Sequence, residues 1–482
     1  MRPRISFRSN KHRPSGSLIL LLILIPFALA SLACGVSLRL PLSQLPFIPP
    51  TITTTAILPP PTLTPTAAPT LLPTASPLPP TTTSSPTPSA SPTHTPTPDP
   101  QAQADQLRLL SDLWNTVNDN YLYEDFNGLD WRGVYDDYRQ QIEAGLSNQD
   151  FYLAMEEMIY RLGDDHSAYF NPDEARQDEE DFSGSFDFVG IGIFTTSVPR
   201  RKHVSIIQVF PGSPAEQAGL RARDNLLEVD GLPIVDESGF RQDRLLGEEG
   251  TSITLTVQTP GQAPRQVRLT RQRISGDLPV PYSVLSSPQG RRVGYIFLTT
   301  FNNETITRKV RHALQDMTAS GPLDGLIIDN RMNEGGVSTV FEGVLSFFED
   351  GRLGSFVSRD REESLEVDGR DIGGSQQVPL VVLVGPDTAS FGEIFSGILK
   401  DTGRAFLIGQ TTDGNVEILY VYGFFDGSRA WIAHDTFQPR NNPEQNWELT
   451  GIIPDLTVLS NWDEVTNETD PVIQAALDHF DQ

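Results

Sequence analysis

From Ala104 to Phe170 apolar side chains recur every three or four positions, as at Phe151, Met155, Ile159 and Leu162. That spacing puts them on one stripe of an α-helix. Three runs carry it: "LRLLSDLWNTVNDNYL", "WRGVYDDYRQQIEAGL" and "QDFYLAMEEMIYRLG". The expectation is a helical head, residues 104–183, packed on a core. From about Gly184 to Arg273 the texture changes to short β-type runs broken by Gly and Pro: "FVGIGIFTTS", "HVSIIQVF", "DNLLEVDGLPI" and "ITLTVQT". Between them "PGSPAEQAGLRARD" reads as a short helix flanked by turns. These runs define a β-rich insert, residues 184–275. From 276 to 482 strand runs alternate with helical ones: "RVGYIFLTTF", "ITRKVRHALQDMTA", "LDGLIIDNR", "STVFEGVLSFFED", "VPLVVLVG", "SFGEIFSGILKDTG" and "AFLIGQ". The alternation predicts an α/β layered body with parallel strand pairing.

The first hundred residues follow neither period. Residues 1–34 open with Arg2, Arg4, Arg8, Lys11 and Arg13 and continue into "LILLLILIPFALASLAC". A charged segment before an apolar one is the pattern of a secretory signal. The alternative is a retained anchor, since the run is barely long enough to span a bilayer. The chain's single cysteine, Cys34, ends this segment and resembles a bacterial lipoprotein acceptor, although Ser31 and Leu32 depart from the usual motif. Residues 35–103 are dense in Pro, Thr, Ser and Ala, which excludes helix and sheet and predicts an extended spacer.

Composition narrows the function. The net charge is −26, and no basic patch is present, which argues against a nucleic-acid partner. One cysteine excludes an intrachain disulfide, so an exported form depends on its core for stability. No cofactor, metal cluster or phosphate loop is expected; the pair Asp164–Asp165 reads as exposed. The chain is expected at the extracytoplasmic face or secreted, touching a membrane only through its N-terminal segment.

The candidate chemistry starts at Ser390, where the strand run "VPLVVLVG" turns into a helical pattern. A helix N-terminus favours developing negative charge, and a serine at such a turn is a candidate nucleophile that needs a base. Lys400 lies too far along the same helix to serve, about 15 Å at ~1.5 Å per residue. Downstream of a strand, "DNRMNEGG" offers glycines whose N–H groups can approach a carbonyl oxygen.

Five separated pieces resemble the family of C-terminal processing and tricorn-type serine peptidases: "LGDDHSAYF", "GSPAEQAGLRARDNLLEVDG", "IIDNRMNEGG", "TASFGEIFSGILKDTGRAFLIGQTT" and "GIIPD". The resemblance covers the chain from about Ala104 to its end. It implies an α/β layered, crotonase-like peptidase body with a helical N-terminal part and an inserted PDZ domain. In that PDZ domain Val189, Gly190, Ile191 and Gly192 would form the loop that binds a peptide carboxylate. One branch of the family uses a serine–lysine dyad, with lysine 25 residues after the serine; here that position is Asn415, which cannot act as a base. The resemblance to the tricorn-like branch instead implies Ser390 as nucleophile, His166 as base and Glu448 as its orienting carboxylate, with His434 as a reserve base. Oxyanion donors would be an N–H of Gly335 or Gly336 and that of Phe391.

The reading is an exported serine endopeptidase that acts on protein or peptide chains, with cleavage near C-termini as one expectation and with PDZ capture or gating of the substrate. A catalytically inactive peptide-binding scaffold and a non-peptidase acyl hydrolase remain the alternatives. Intact-mass measurement of the membrane fraction should find a mature chain starting at or near Cys34. A start at Met1 or Arg2 would mean an uncleaved anchor.

Overall fold

The computed structural model describes residues 100–164, 166–182, 187–237, 239–242 and 244–482. The expected signal, the Cys34 acceptor, Asp165 and nearly all of the spacer lie outside them. Among the described residues no helix is long and apolar enough to cross a membrane. The first helix, Pro100–Asn120, begins inside the stretch assigned to the spacer. Proline is tolerated there because a first-turn N–H has no intrahelical acceptor to lose.

The head comprises that helix and helices Trp131–Ala144 and Asn148–Tyr160. Asp130 and Ser147 cap the second and third through Gly133 N and Asp150 N. The expected stripe is buried: Phe151, Met155, Ile159 and Leu162 all lie in one apolar cluster. That cluster is closed by Leu419, Ala430, Trp431, Ile432 and Ala433 from the body. The head therefore shares its core with a sheet formed more than 250 residues later in the chain.

The body contains a six-stranded sheet. Its strands Arg292–Phe297, Gly325–Asp329, Leu380–Val384, Ala405–Gly409 and Leu456–Thr457 pair in parallel, and Tyr282–Ser286 joins antiparallel at one edge. Every residue of Gly325–Asp329 and Leu380–Val384 is buried. Such unbroken apolar runs belong to strands covered on both faces. One face packs on helices Thr305–Thr318, Ser338–Leu345 and Phe391–Asp401. The other packs on helix Pro471–His479 and on Phe194, Ile207 and Phe210 of the insert.

A second sheet is not legible in the alternating pattern. Long strand Arg429–Pro439 pairs antiparallel with Ala168–Phe170, Gly351–Val357 and Ile418–Gly423, and Glu362–Val367 lies at its edge. The edge strand reads "EESLEV" and is mostly exposed, so its composition looks like a loop.

The insert is a six-stranded antiparallel sheet built around Ile193–Val198, His203–Val209, Asn225–Val229, Ser252–Gln258 and Arg265–Thr270. Short strands Phe188–Gly190 and Gln272–Ile274 pair at its base, where the chain enters and leaves. The single run read as "FVGIGIFTTS" is thus two strands, separated at Ile191 and Gly192, where Gly192 has φ +78°. The insert is also tied to the body by buried charges. Arg223 donates to Asp470 Oδ2 at 2.5 Å, and that oxygen forms an ion pair with Arg331 at 2.7 Å. Arg331 in turn forks onto Asp329 at 2.8 and 2.6 Å.

Candidate active site

Two loops meet at the C-terminal ends of the parallel strands. After Leu380–Val384 the turn Gly385–Ala389 is held by Thr388, whose Oγ1 accepts from Gly385 N and donates to Asn330 O. Ala389 N donates to Asn333 O at 3.0 Å. This delivers Ser390 to the start of helix Phe391–Asp401 with φ +55° and ψ −130°. A non-glycine residue with positive φ stores strain, as a sharp nucleophile turn does. Ser390 is only 4% exposed. Its Oγ makes no hydrogen bond among the described residues.

The facing loop, 330–336, requires its glycines. A Cβ on Gly335 would sit 2.7 Å from Ser390 Cβ, and one on Gly336 would sit 2.3 Å from the Phe301 carbonyl carbon. Phe391 N is a first-turn helical amide and has no intrahelical acceptor. Its ring stacks on Phe341 at 4.5 Å, which anchors the helix start. Gly335 N, expected as an oxyanion donor, instead donates to Asn333 Oδ1 at 2.9 Å. The fixed loop geometry places an asparagine side chain where the acceptor would be.

His166 follows the head's last helix and precedes strand Ala168–Phe170. Asp164 Oδ1 accepts from His166 N at 3.0 Å and from Ser167 N at 2.5 Å. Ala433 N donates to Ser167 Oγ at 3.1 Å. The imidazole, 4% exposed, places Nε2 2.8 Å from Glu448 Oε1. Burial disfavours its charged form, but the Glu448 hydrogen bond and charge, with Glu417 and Asp164 behind them, override this and raise it to about 9. Glu448 lies in the single-turn helix Trp447–Thr450, capped by Asn446 through Leu449 N. Trp447 buries its ring against Phe437 and over Gly397, where a Cβ would come within 2.7 Å of the indole.

One peptide unit links these parts. The carbonyl of Asn415 accepts from Ser390 N at 2.6 Å. The N–H at the other end of the same peptide bond, that of Val416, donates to Glu448 Oε2 at 2.7 Å. Glu393 fixes this loop from below: its carboxylate accepts from Thr412 Oγ1, from Gly414 N at 2.9 Å and from Asn415 N at 2.6 Å. Burial pushes Glu393 up to about 7, against the pull of those donors. Neither Glu393 nor the buried Glu417, whose carboxylate accepts from the Tyr123 hydroxyl, was found from sequence. Glu417 lies two residues after Asn415, but nothing in "NVEIL" marks it as buried.

The structure brings His166 and Glu448 into hydrogen-bond contact but does not join His166 to Ser390 Oγ by a hydrogen bond. His434 is engaged elsewhere, with Nδ1 2.8 Å from Asp435 and its ring stacked on Tyr420 at 3.9 Å. Lys400 donates to Ile453 O at 2.6 Å and pairs with Asp455 at 2.9 Å. In the insert, Val189 and Gly190 lie in a strand pair, and Ile191 and Gly192 lie between that strand and the next. Ala215 N and Phe210 N donate to the carbonyls of these two residues.

Residues 292–458 match the model of peptidase family S41. Residues 103–160 match the tricorn protease C1 domain, and residues 205–259 match a PDZ domain. The chain is 31% identical over 388 residues to the carboxyl-terminal-processing protease of Synechocystis sp., covering 78% of this chain and 87% of that protein. It is 30% identical over 373 residues to the chloroplastic C-terminal processing peptidase of Tetradesmus obliquus, covering 74% and 78%. A solved photosystem II D1 C-terminal processing protease superposes with a TM-score of 0.53 at 27% identity, over 73% of this chain and 93% of that one. A putative S41 protease from Bacteroides fragilis shares the fold, with a TM-score of 0.54 at 16% identity over 77% and 97%. The chain is a serine-type peptidase with a PDZ domain. It belongs to peptidase family S41.

Gly392 provides a test of the two-loop junction. A Cβ there would stand 2.2 Å from Asn333 O, a backbone atom that cannot rotate away. Gly392→Ala should destabilise the fold by ~1–3 kcal/mol and, by moving Phe391 N, lower kcat by about 100-fold. Denaturant unfolding and steady-state kinetics measure the two effects; a wild-type kcat would contradict the junction's role.

Proposed function

We propose that this protein is an exported endopeptidase that trims protein chains near their C-termini, with Ser390 as nucleophile, His166 as base and Glu448 as the group that orients it. The observation that carries the assignment is the Asn415–Val416 peptide unit, bonded at one end to Ser390 and at the other to Glu448. The relatives named as carboxyl-terminal-processing proteases support the choice of substrate end. The basic-then-apolar N-terminal segment supports export, and Cys34 supports a lipid anchor. The PDZ insert would hold a chain end through the Ile191–Gly192 loop or gate access, and its Arg223 reaches the Asp470–Arg331 pair beside the oxyanion loop.

In this mechanism Glu448 accepts from Nε2–H of His166, which leaves the lone pair on Nδ1 for the Ser390 proton. This step requires the imidazole and Oγ to come into hydrogen-bond contact. The Oγ attacks the scissile carbonyl carbon, and its proton passes to the imidazole. Phe391 N and a glycine N–H of Gly335–Gly336 receive the oxyanion; Gly335 N serves once Asn333 releases it. The imidazolium then protonates the leaving amine, and the C–N bond breaks to give an acyl-enzyme. Water attacks that ester with His166 as base, which frees the new carboxyl end and restores Ser390. The same set of groups counts against an inactive scaffold.

Ser390→Ala should remove cleavage of an unfolded test protein by at least ~1000-fold while circular dichroism stays native. Wild-type cleavage by that variant would refute the nucleophile.

The pH profile tests the base. A raised histidine pKa stabilises the charged imidazole, so its contribution to stability is full below ~6.5 and fades as pH rises through about 9. Activity has the opposite sign, because the base must be neutral. The rise of kcat/KM with pH should therefore lie well alkaline of an ordinary histidine. In Glu448→Gln this limb should move acid by ~1 unit or more, with kcat reduced less than in His166→Ala. An unmoved limb would show that Glu448 does not act on the titrating group.

A further inference from the structure

The site holds one carboxylate more than this mechanism uses. Glu417 is buried, its side chain only 2% exposed, and its Oε2 has no hydrogen-bond partner. That oxygen lies 3.9 Å from His166 Nε2, while Glu448 Oε1 stands 2.8 Å from the same nitrogen. The nitrogen and the two oxygens all lie within 4.8 Å of one another. A buried carboxylate oxygen without a partner is costly and calls for a ligand or a proton.

The outer contacts suit a cation that would take that proton's place. Each carboxylate has its outer oxygen fixed by a donor: Glu417 Oε1 by the Tyr123 hydroxyl and Glu448 Oε2 by Val416 N. The inner oxygens are thereby turned toward the imidazole. Outer donors of this kind orient metal-ligating carboxylates. Around a tetrahedral zinc-type ion, with bonds of ~2.0–2.2 Å, ligand atoms stand about 3.4 Å apart. That value lies between the two distances observed at Nε2, so small side-chain rotations suffice. An imidazole in the donor set disfavours calcium and magnesium, which take oxygen ligands.

We propose that His166 Nε2, Glu417 Oε2 and Glu448 Oε1 bind a divalent transition ion of the zinc type, and that its binding reversibly switches the peptidase off. The regulatory half rests on His166 being the base. The ion takes the Nε2 lone pair: the proton of the neutral ring moves to Nδ1, while the charged ring gives its Nε2 proton to solvent and keeps Nδ1–H. Nδ1–H cannot accept the Ser390 proton, and the nucleophile stays protonated. No covalent bond of protein or substrate changes apart from this proton shift, and a chelator restores the original tautomer.

The test uses untagged full-length protein and zinc chloride. Calorimetric titration of Ser390→Ala should show one ion bound per chain. Adding Glu417→Gln should weaken binding by ~100-fold, and adding Tyr123→Phe, which removes only the outer donor, by ~10-fold. In the active enzyme zinc should suppress cleavage and EDTA should restore it. The ratio of rates without and with zinc should collapse toward one in Glu417→Gln, whatever that variant's own rate. No stoichiometric binding to Ser390→Ala, or binding unchanged by both substitutions, overturns the proposal. The failures separate cleanly: an active enzyme that binds no zinc refutes only the metal site. A protein that binds zinc as predicted but cleaves nothing refutes the catalytic reading and leaves the site standing.

Discussion

The active-site assembly depends on a single peptide bond. In a trans peptide the carbonyl and N–H point in opposite directions. The Asn415–Val416 unit uses this to hold Ser390 on one side and Glu448 on the other. Neither partner could be placed by its own element alone. Ser390 starts an eleven-residue helix, whereas Glu448 sits in a helix of one turn. The buried Glu393 carboxylate makes the arrangement stiff by gathering the loop's donors from 412 to 415. Position 415 thus contributes through its backbone, which explains how a side chain other than lysine can occupy it without disturbing Ser390.

The histidine arrives by a different route. The head packs on the long strand Arg429–Pro439, and strand Ala168–Phe170 pairs with its first residues. Ser167 accepts from Ala433 N, and Asp164 folds the loop back on His166 N. The sheet that carries the head thus also sets the position of His166. On the other face of the parallel sheet the insert contributes Phe194, Ile207 and Phe210 to a shared apolar core. Arg223, Asp470 and Arg331 then connect the insert to the segment that leads into Gly335 and Gly336. The insert and the 330–336 loop therefore touch neighbouring parts of one buried network.

Much of this was legible in the sequence. The head's apolar stripe, the strand–helix alternation and the insert's turn-rich β runs all became the expected elements, because each buries a continuous apolar face. The second sheet was not legible. Its strands "GRLGSFV" and "EESLEV" are short of apolar residues; they pair with each other, and the strand that joins this hairpin to the sheet, Arg429–Pro439, is distant in the chain. At the site, His166 and Glu448 came from the resemblance of "LGDDH" and "GIIPD" to the tricorn-like branch, and the two side chains meet at 2.8 Å. Glu417, Glu393 and Tyr123 were not found. Their importance comes from burial and from partners 20 to 300 residues away, which no local pattern encodes. The contact of Gly335 N with Asn333 Oδ1 was not legible either, since Asn333 is an ordinary loop residue two positions earlier.

The central claim is that Ser390 is activated by His166 through an assembly that owes nothing to lysine. Its most direct test is the rate of fluorophosphonate labelling in the wild type and in His166→Ala, with the modified residue mapped by peptide mass. The account predicts a label on Ser390 and a rate lower by ~100-fold or more without the imidazole. Labelling of His166→Ala at the wild-type rate, or a label on another serine, would contradict it.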